Sequence, residues 1–418
     1  MKKVVIMRKI VKNFIKIFIY PILRILLLIS HITPRNENIW IFGSYGGSFN
    51  DNAKYLFLYI CENYPKIKAI WISSNRDTVR FLRNKNLSSY YRYSLKGFIY
   101  SLIGKLYFYN SYVSDINTWT HGNTIKVNLW HGIPMKKIEF DITRGPLSLV
   151  FNKSLIGKFF YPNHYVKPDY VLSTSKIVSK IFSSAFRVNE KQCLKFGYPR
   201  NEILIFPKEK VTEFIKKYEP LSSLKLVNTL EKYKKVYVYM PTWRDDGSDF
   251  IRESKIDFKI LNEVLADKSY CLILKFHNNT KLPIDLRGFK NIILFDNKTD
   301  IYPILPFTHV LITDYSSIYF DYKLMNKEVI FFCFDKDKYI KSREMYFDYD
   351  QIIKYELVAE NFEDLLSLIK SDKEIKNNKE KLNFNNPFYY KLMNPKINVN
   401  CNRKIVDFFT KTLEINGN

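Results

Sequence analysis

Glycine and proline are scarce in this chain, 13 and 16 among 418 residues, which excludes fibrous and linker-rich architectures. Cysteine is scarcer still. Cys61, Cys193, Cys271, Cys333 and Cys401 lie far apart and form no CxxC pair. Neither a disulfide framework nor a thiolate zinc site is therefore indicated, and small buried thiols in a reducing cytosol are expected. No GxGxxG, P-loop, HExxH or EF-hand pattern occurs. The loop Gly43-Ser44-Tyr45-Gly46-Gly47 follows a predicted strand but matches none of these, so no dinucleotide, ATP, metal or other cofactor is called for. Two DxD triplets, Asp335-x-Asp337 and Asp348-x-Asp350, read as solvated loops. Internal repeats and low-complexity tracts are also missing.

Acidic residues are absent before Glu37, where eight basic ones occur: Lys2, Lys3, Arg8, Lys9, Lys12, Lys16, Arg24 and Arg35. They interrupt an apolar stretch from Ile10 to Ile29. On a helix Arg8, Lys12, Lys16 and Arg24 share one broad face, and Ile15, Phe18, Ile22, Leu26 and Ile29 share another. A spanning helix needs about 20 nearly uncharged residues, and the longest uncharged run is the ten from Ile25 to Pro34. No small-x-small cleavage site follows, which argues against a secretory signal. The reading is a helix lying in an anionic membrane surface, its apolar face sunk and its basic residues at head-group level. An ordinary core-packing helix is the competing expectation.

Positive charge is what the chain has in excess: 66 Lys and Arg against 41 Asp and Glu, a net +25. Such an excess asks for an anionic partner, whether nucleic acid, lipid or a phosphate-bearing substrate. With 46% hydrophobic and 17% aromatic residues, a disordered polyelectrolyte is excluded.

From residue 38 onward, short apolar runs alternate with helical patterns. Strands are predicted at 39–42, 69–72, 106–109, 126–129, 170–172, 236–240, 271–276, 291–295, 309–313 and 329–332. Helices are predicted at 51–63, 176–186, 258–266, 316–325 and 361–371, with a polar helical stretch at 207–233. Near-continuous apolar strands alternating with helices argue for α/β architecture with doubly wound parallel sheets. The expected division is a membrane-associating segment at 1–35, Rossmann-like units at 36–206 and 207–395, and a terminal helical segment at 396–418.

Ligands of such sheets bind beyond the carboxyl ends of the strands, so the polar residues there carry the chemistry. In Trp130-His131-Gly132-Ile133-Pro134-Met135-Lys136-Lys137, His131 suits proton transfer near neutral pH. Pro241-Thr242-Trp243-Arg244 offers a hydroxyl and a guanidinium for an oxyanion, unless it is a capped helix start. In Lys275-Phe276-His277, the Lys and His alternate to one side and could flank a diphosphate. Thr313-Asp314-Tyr315-Ser316-Ser317 runs into a helix start, a ready anion site. Asp321, on the same helix face, could hold polyol hydroxyls. Arg200, in the turn Gly197-Tyr198-Pro199-Arg200-Asn201, could reach a phosphate.

Together these segments, with Ser48-x-Asn50-Asp51-Asn52-x-Lys54-Tyr55, resemble the CDP-glycerol:poly(glycerophosphate) glycerophosphotransferase family of teichoic-acid primases, polymerases and capsule relatives. The resemblance spans most of residues 38–350. It implies a GT-B-like fold, two Rossmann-like domains facing a cleft, with an N-terminal amphipathic membrane-associating helix and no metal requirement. It further implies that Trp130, Gly132, Ile133, Pro134, Arg200, Pro241, Thr242, Lys275, Phe276, Ser316, Ser317 and Asp321 line the site of a CDP-alditol, CDP-glycerol or CDP-ribitol. Thr313, Asp314 and Arg244 belong to the same strand-end clusters. His131 would be the base on the acceptor hydroxyl and His277 would assist at the diphosphate. The chain departs from the family at Ile133, Asn278 and Glu202; Ile133 removes a hydroxyl near the phosphates.

The expected reaction is transfer of an alditol phosphate to a lipid-linked saccharide or polyol-phosphate acceptor, with CMP leaving, at the cytoplasmic face of the cell membrane. A sugar-nucleotide glycosyltransferase on the same scaffold is the first rival. A nucleic-acid binder is the second, and the aromatics, concentrated in strand-like runs, speak against it.

Overall fold

β-Branched and aromatic runs become strands where two helical layers can bury both of their faces. In the computed structural model, which describes the chain apart from residues 1, 153, 245–246, 277–279, 281–284, 372–385 and 417–418, thirteen strands form two sheets. The first contains β1 (Asn36–Phe42), β2 (Lys68–Ser73), β3 (Ser89–Tyr91), β4 (Gly104–Tyr109), β5 (Ile125–Asn128), β6 (Tyr170–Leu172) and β7 (Cys193–Leu194). The second contains β8 (Lys235–Met240), β9 (Tyr270–Leu274), β10 (Ile292–Leu294), β11 (Val310–Thr313), β12 (Glu328–Phe332) and β13 (Leu357–Ala359). Their orders are β3-β2-β1-β4-β5-β6-β7 and β10-β9-β8-β11-β12-β13, and every pairing is parallel. Each order reverses once, between β1 and β4 and between β8 and β11. These are the switch points at which open α/β sheets bind ligands.

Burial explains the uninterrupted hydrophobicity of the strands. On β1, Trp40 and Phe42 pack to one side with Phe57, while Ile39 and Ile41 pack to the other with Ile70 and Tyr107. On β8, Val236 and Val238 face one layer, Tyr237 and Tyr239 the opposite one. Each such side chain contributes about 1.5–3 kcal/mol by leaving water.

Helices Asp51–Asn63, Lys176–Phe186, Phe258–Asp267 and Phe362–Lys370 form where the pattern predicts them. Ser175, Asp257 and Asn361 cap the last three by accepting backbone N–H groups. The stretch 207–233 is instead two helices, Lys208–Tyr218 and Leu221–Leu230. Pro220, the N-cap of the second, has no N–H to continue the first. The helix predicted at 316–325 shortens to Ile318–Tyr322, followed by a 3₁₀ turn at Lys323–Met325. The final helix, Cys401–Asn416, returns to the first sheet, with Phe409 ring centroids 5.4 Å from those of Phe108 and Tyr170. Four cysteines are buried, but Cys61 is exposed, contrary to expectation.

Residues Lys2–Ile32 form one helix. Lys16 donates to the Phe160 carbonyl (3.1 Å), the Tyr20 ring meets Trp119 (5.1 Å), and buried Ser30 accepts from the Gly122 N–H (2.9 Å). Arg24 lies over the Phe159 ring, 4.8 Å away. Lys16 and Arg24, expected at head-group level, therefore bind the protein body. The face left exposed is apolar: Phe18, Ile22, Ile25 and Ile29, at alternating helical spacings of four and three. Among the described residues no helix is long and apolar enough to cross a membrane.

Two buried ion clusters join the halves. Lys54, fully buried, donates to Asp300 at 2.9 Å and to Glu219. Arg200 is held by Asp51 at 2.5 Å and by Asp321 at 2.6 Å. Nearer the surface, Lys136 and Met345 form an antiparallel bridge, and Lys137 pairs with Glu344 at 3.1 Å.

Candidate active site

The strand ends of the two sheets face a cleft of about 1090 Å³. Its walls include Trp130, His131, Gly132, Ile133, Pro134 and Arg200 from the first half. Pro241, Thr242, Lys275, Phe276, Ser316 and Ser317 complete it from the second. The sequence clusters, up to 187 positions apart between Trp130 and Ser317, thus converge on one cavity.

His131 follows β5 in a constrained turn. Trp130 has φ +53° and Gly132 φ +131°, conformations that a side chain resists. A Cβ on Gly132 would stand 2.7 Å from Ser317 Oγ and 3.2 Å from Arg200 Nη2, so only glycine lets the halves close here. The His131 ring packs on Trp130, centroids 4.0 Å apart, and Trp130 is braced by Phe186 at 4.9 Å. Nδ1 lies 3.2 Å from the Asn110 carbonyl. A carbonyl can only accept, so Nδ1 carries the proton and Nε2 keeps its lone pair. The ring stays accessible from the cleft although protein surrounds the turn. Burial pushes its pKa below the ordinary histidine value, against the charge of Asp51, which pulls it up. Neutral imidazole is the form a base requires.

The residues that hold His131 were not singled out by sequence. Asn110 directly follows β4; its side chain donates to Ser44 Oγ (2.9 Å) and accepts from the Ala53 N–H (3.0 Å). Its backbone N–H and that of Ser111 donate to the buried Asp115 carboxylate at 3.1 and 2.9 Å. Desolvation raises the Asp115 pKa to about 7. No sequence pattern marks Asn110, because the group that matters is a main-chain oxygen.

On the opposite rim Lys275 leaves β9 and donates to the Asn297 and Asp296 carbonyls at 3.0 and 3.2 Å. Desolvation lowers its pKa to about 8, with Asp300 and Asp296 opposing. Among the described residues Thr242 Oγ1 is buried without a hydrogen-bond partner, a hydroxyl that a ligand oxygen would satisfy. Ser317 stands at the N-cap of Ile318–Tyr322 without making a cap bond. That helix is five residues long, so the anion site read from the sequence depends on hydroxyls more than on a helix dipole.

Four expected ligand residues do not line the cleft. Asp314, buried, accepts from the Thr242 and Tyr315 N–H groups at 2.8 and 2.6 Å and pairs with Arg244 at 3.0 Å. Arg244 is itself buried against Asp335 (2.7 Å), so this Asp335 is an ion-pair partner and not a solvated loop residue. Thr313 Oγ1 donates to the Met240 carbonyl at 2.8 Å. Asp321 accepts from Arg200, from Asn201 (3.0 Å) and from Tyr302 (2.7 Å), with no exposed surface. These residues support the rim from beneath it. Arg200 reaches the wall, but its guanidinium is spent on Asp51, Asp321 and the His131 carbonyl (2.9 Å). His277 lies outside the described residues. Among the described residues no group of His, Cys, Asp or Glu could hold a metal ion.

Known proteins resemble this chain in sequence and in fold. The chain is 28% identical over 341 residues to the teichoic acid poly(glycerol phosphate) polymerase of Staphylococcus epidermidis, covering 76% of this chain and 44% of that protein. It is 29% identical over 371 residues to the polymerase of the same name from Bacillus spizizenii, covering 86% and 90%. A teichoic acid poly(ribitol-phosphate) polymerase of that organism is 31% identical, over 60% of this chain and 38% of its own length. The fold matches the wall teichoic acid polymerase TagF with a TM-score of 0.75 at 23% identity, covering 99% of this chain and 98% of the other. The architecture is therefore GT-B-like. With residues 25–407 matching, the chain belongs to the CDP-glycerol:poly(glycerophosphate) glycerophosphotransferase family.

Proposed function

We propose that the protein transfers glycerol phosphate from CDP-glycerol to a hydroxyl of a lipid-linked saccharide or a growing polyol-phosphate chain, releasing CMP. The observation that carries this reading is an imidazole, its tautomer fixed by the Asn110 carbonyl, across one cleft from Lys275 and the Thr242 hydroxyl. The acceptor oxygen attacks the glycerol-side phosphorus while the bond from that phosphorus to the bridging oxygen breaks, and CMP departs with the bridging oxygen. His131 Nε2 takes the acceptor proton. Lys275, Thr242, Ser316 and Ser317 surround the diphosphate, since such transfers depend on charge neutralisation and in-line positioning. Glycerol is preferred to ribitol because the glycerol-phosphate relatives match 76% and 86% of the chain and the ribitol-phosphate relative 60%.

The reaction takes place at the cytoplasmic face of the cell membrane, where the protein lies peripherally on an anionic surface. Exposed Phe18, Ile22, Ile25 and Ile29 support this reading, because a contiguous apolar stripe of this kind needs a non-aqueous partner.

His131→Ala should lower turnover about 10²–10⁴-fold, measured as CMP release, while titration still detects CDP-glycerol binding. Full activity in that variant would remove His131 from its role. In the active protein the acidic limb of kcat/KM should lie below the ordinary histidine value, because burial disfavours the protonated ring.

A further inference from the structure

Asp115 is buried at the end of a 3₁₀ turn, Val113–Asp115, in the first half of the molecule. Arg92 donates to its main-chain oxygen at 2.7 Å. The carboxylate instead accepts two main-chain N–H groups, of Asn110 at 3.1 Å and of Ser111 at 2.9 Å. Burying an ionisable group among neutral partners is costly, so the use to which those two bonds are put matters.

The Ser111 N–H belongs to the same amide as the Asn110 carbonyl, which receives His131 Nδ1–H at 3.2 Å. In a planar trans amide the C=O and N–H point in opposite directions. Asp115 and His131 therefore sit at the two ends of one peptide unit. Asn128 ties that unit to the strand end carrying the imidazole: its side chain donates to the Ser111 carbonyl at 3.1 Å and accepts from the Trp130 N–H at 2.9 Å.

We propose that Asp115 is a positioning residue for the transfer, acting on His131 through the Asn110–Ser111 amide. This rests on the reading of His131 as the base. A negative charge at the N–H end polarises the amide, so its oxygen becomes a stronger acceptor for Nδ1–H. When Nε2 takes the acceptor proton the ring becomes a cation, and the strengthened bond favours that cation. No proton crosses the amide: the acceptor proton stays on Nε2 and Nδ1 keeps its own. A carboxylate in direct contact would hold the resting ring charged. One amide away, it supports the cation and leaves the resting ring neutral. The gain falls on the transition state, hence on kcat and not on donor affinity.

Asp115→Asn keeps an oxygen for the two N–H groups and removes the charge. Measured as CMP release, kcat should fall about tenfold, as when a charge-assisted hydrogen bond becomes a neutral one, with the KM for CDP-glycerol unchanged. The His131 ring, followed by carbon-13 NMR of labelled histidine and assigned by its loss in His131→Ala, should titrate at a lower pH in Asp115→Asn. Asp51, Arg200 and Lys136 also act on that ring, and the variant leaves all three in place.

Wild type supplies a second readout, which decides even if the variant does not fold. Burial raises the Asp115 carboxyl to about 7, so kcat should climb about tenfold as pH rises through 7. The other titratable groups near Asp115 are Tyr109, Tyr112 and, hydrogen-bonded to Tyr112 at 2.7 Å, Glu139. Burial raises Glu139 to about 7 as well, so Glu139→Gln should keep the step that Asp115→Asn loses. Equal kcat in wild type and Asp115→Asn overturns the proposal. So does an unmoved His131 titration, a loss carried by KM, no step in wild type, or a step that Glu139→Gln removes. If the His131 signal shifts as expected while His131→Ala retains full turnover, the base assignment falls and the coupling of Asp115 to the ring stands.

Discussion

The two rims of the cleft hold their functional groups by different physical means. On the first-sheet rim the means are backbone geometry: positive φ at Trp130 and Gly132, and a main-chain carbonyl on His131. On the second-sheet rim they are charge: Asp314 and Arg244 locked together beneath Thr242, and a lysine kept cationic against its own desolvation. The difference teaches what each rim must deliver. A base needs a defined direction and a neutral resting state, which dipoles and dihedral angles supply without adding charge. A diphosphate needs positive field, which has to be held in place by counter-charges that do not cancel it.

Arg200 joins the rims, and removing it should have the largest effect. Arg200→Met leaves Asp51 and Asp321 facing each other with no cation between them. Loss of one partner from a buried pair costs about 3–5 kcal/mol, so the denaturant midpoint should fall steeply. Adding Asp321→Asn should recover part of the loss, because one uncompensated charge disappears. An unchanged midpoint in the single variant would mean that the ion belt does not unite the halves, and the rims could then be treated separately.

Gly132→Ala sharpens the comparison at the next level, because it disturbs geometry and adds no charge. The new methyl meets Ser317 Oγ at 2.7 Å at a φ of +131°, a strain of about 1–3 kcal/mol. That strain falls on the turn carrying His131. Turnover should drop about tenfold or more, with CDP-glycerol affinity changed less than turnover. If affinity falls while turnover survives, the first rim positions donor and not base.

The contrast also explains what was legible in the sequence. Strands β1, β4, β8 and β11 could be read because burial on both faces makes them continuous apolar runs. β3, β7 and β13 are two or three residues long and too short to show any period. His131, Thr242 and Lys275 could be placed because strand ends are where such sheets bind ligands. Arg200 and Asp321 read as ligand contacts, since a cation and a carboxylate near strand ends look alike whether they face a substrate or each other. Their pairing joins positions 121 apart, and no local pattern encodes that. Asn110 and Asp115 stayed invisible for the opposite reason: the group on His131 is the main-chain oxygen of Asn110, and the Asp115 carboxylate holds that turn through main-chain N–H groups that every residue possesses.

Lys275 gives the smallest effect and the sharpest test of the second rim, because stability and binding should move in opposite directions with pH. Its pKa is lowered to about 8 from 10.5 by desolvation, so between these values the unfolded chain binds more protons than the folded one. Stability contributed at this position therefore rises with pH across that window. The desolvation cost, about 3 kcal/mol, is fully present below pH 8 and relieved as the ammonium loses its proton. CDP-glycerol binding should do the reverse, weakening above about pH 8 as the charge facing the diphosphate disappears. Lys275→Met removes both trends together: the denaturant midpoint should rise at pH 7, the KM for donor should increase, and neither should retain its slope between pH 8 and 10. If the midpoint rises while donor KM keeps its pH dependence, Lys275 is a desolvated structural lysine and the positive field of this rim comes from another group. If both slopes vanish, one side chain accounts for the charge that distinguishes the second rim from the first.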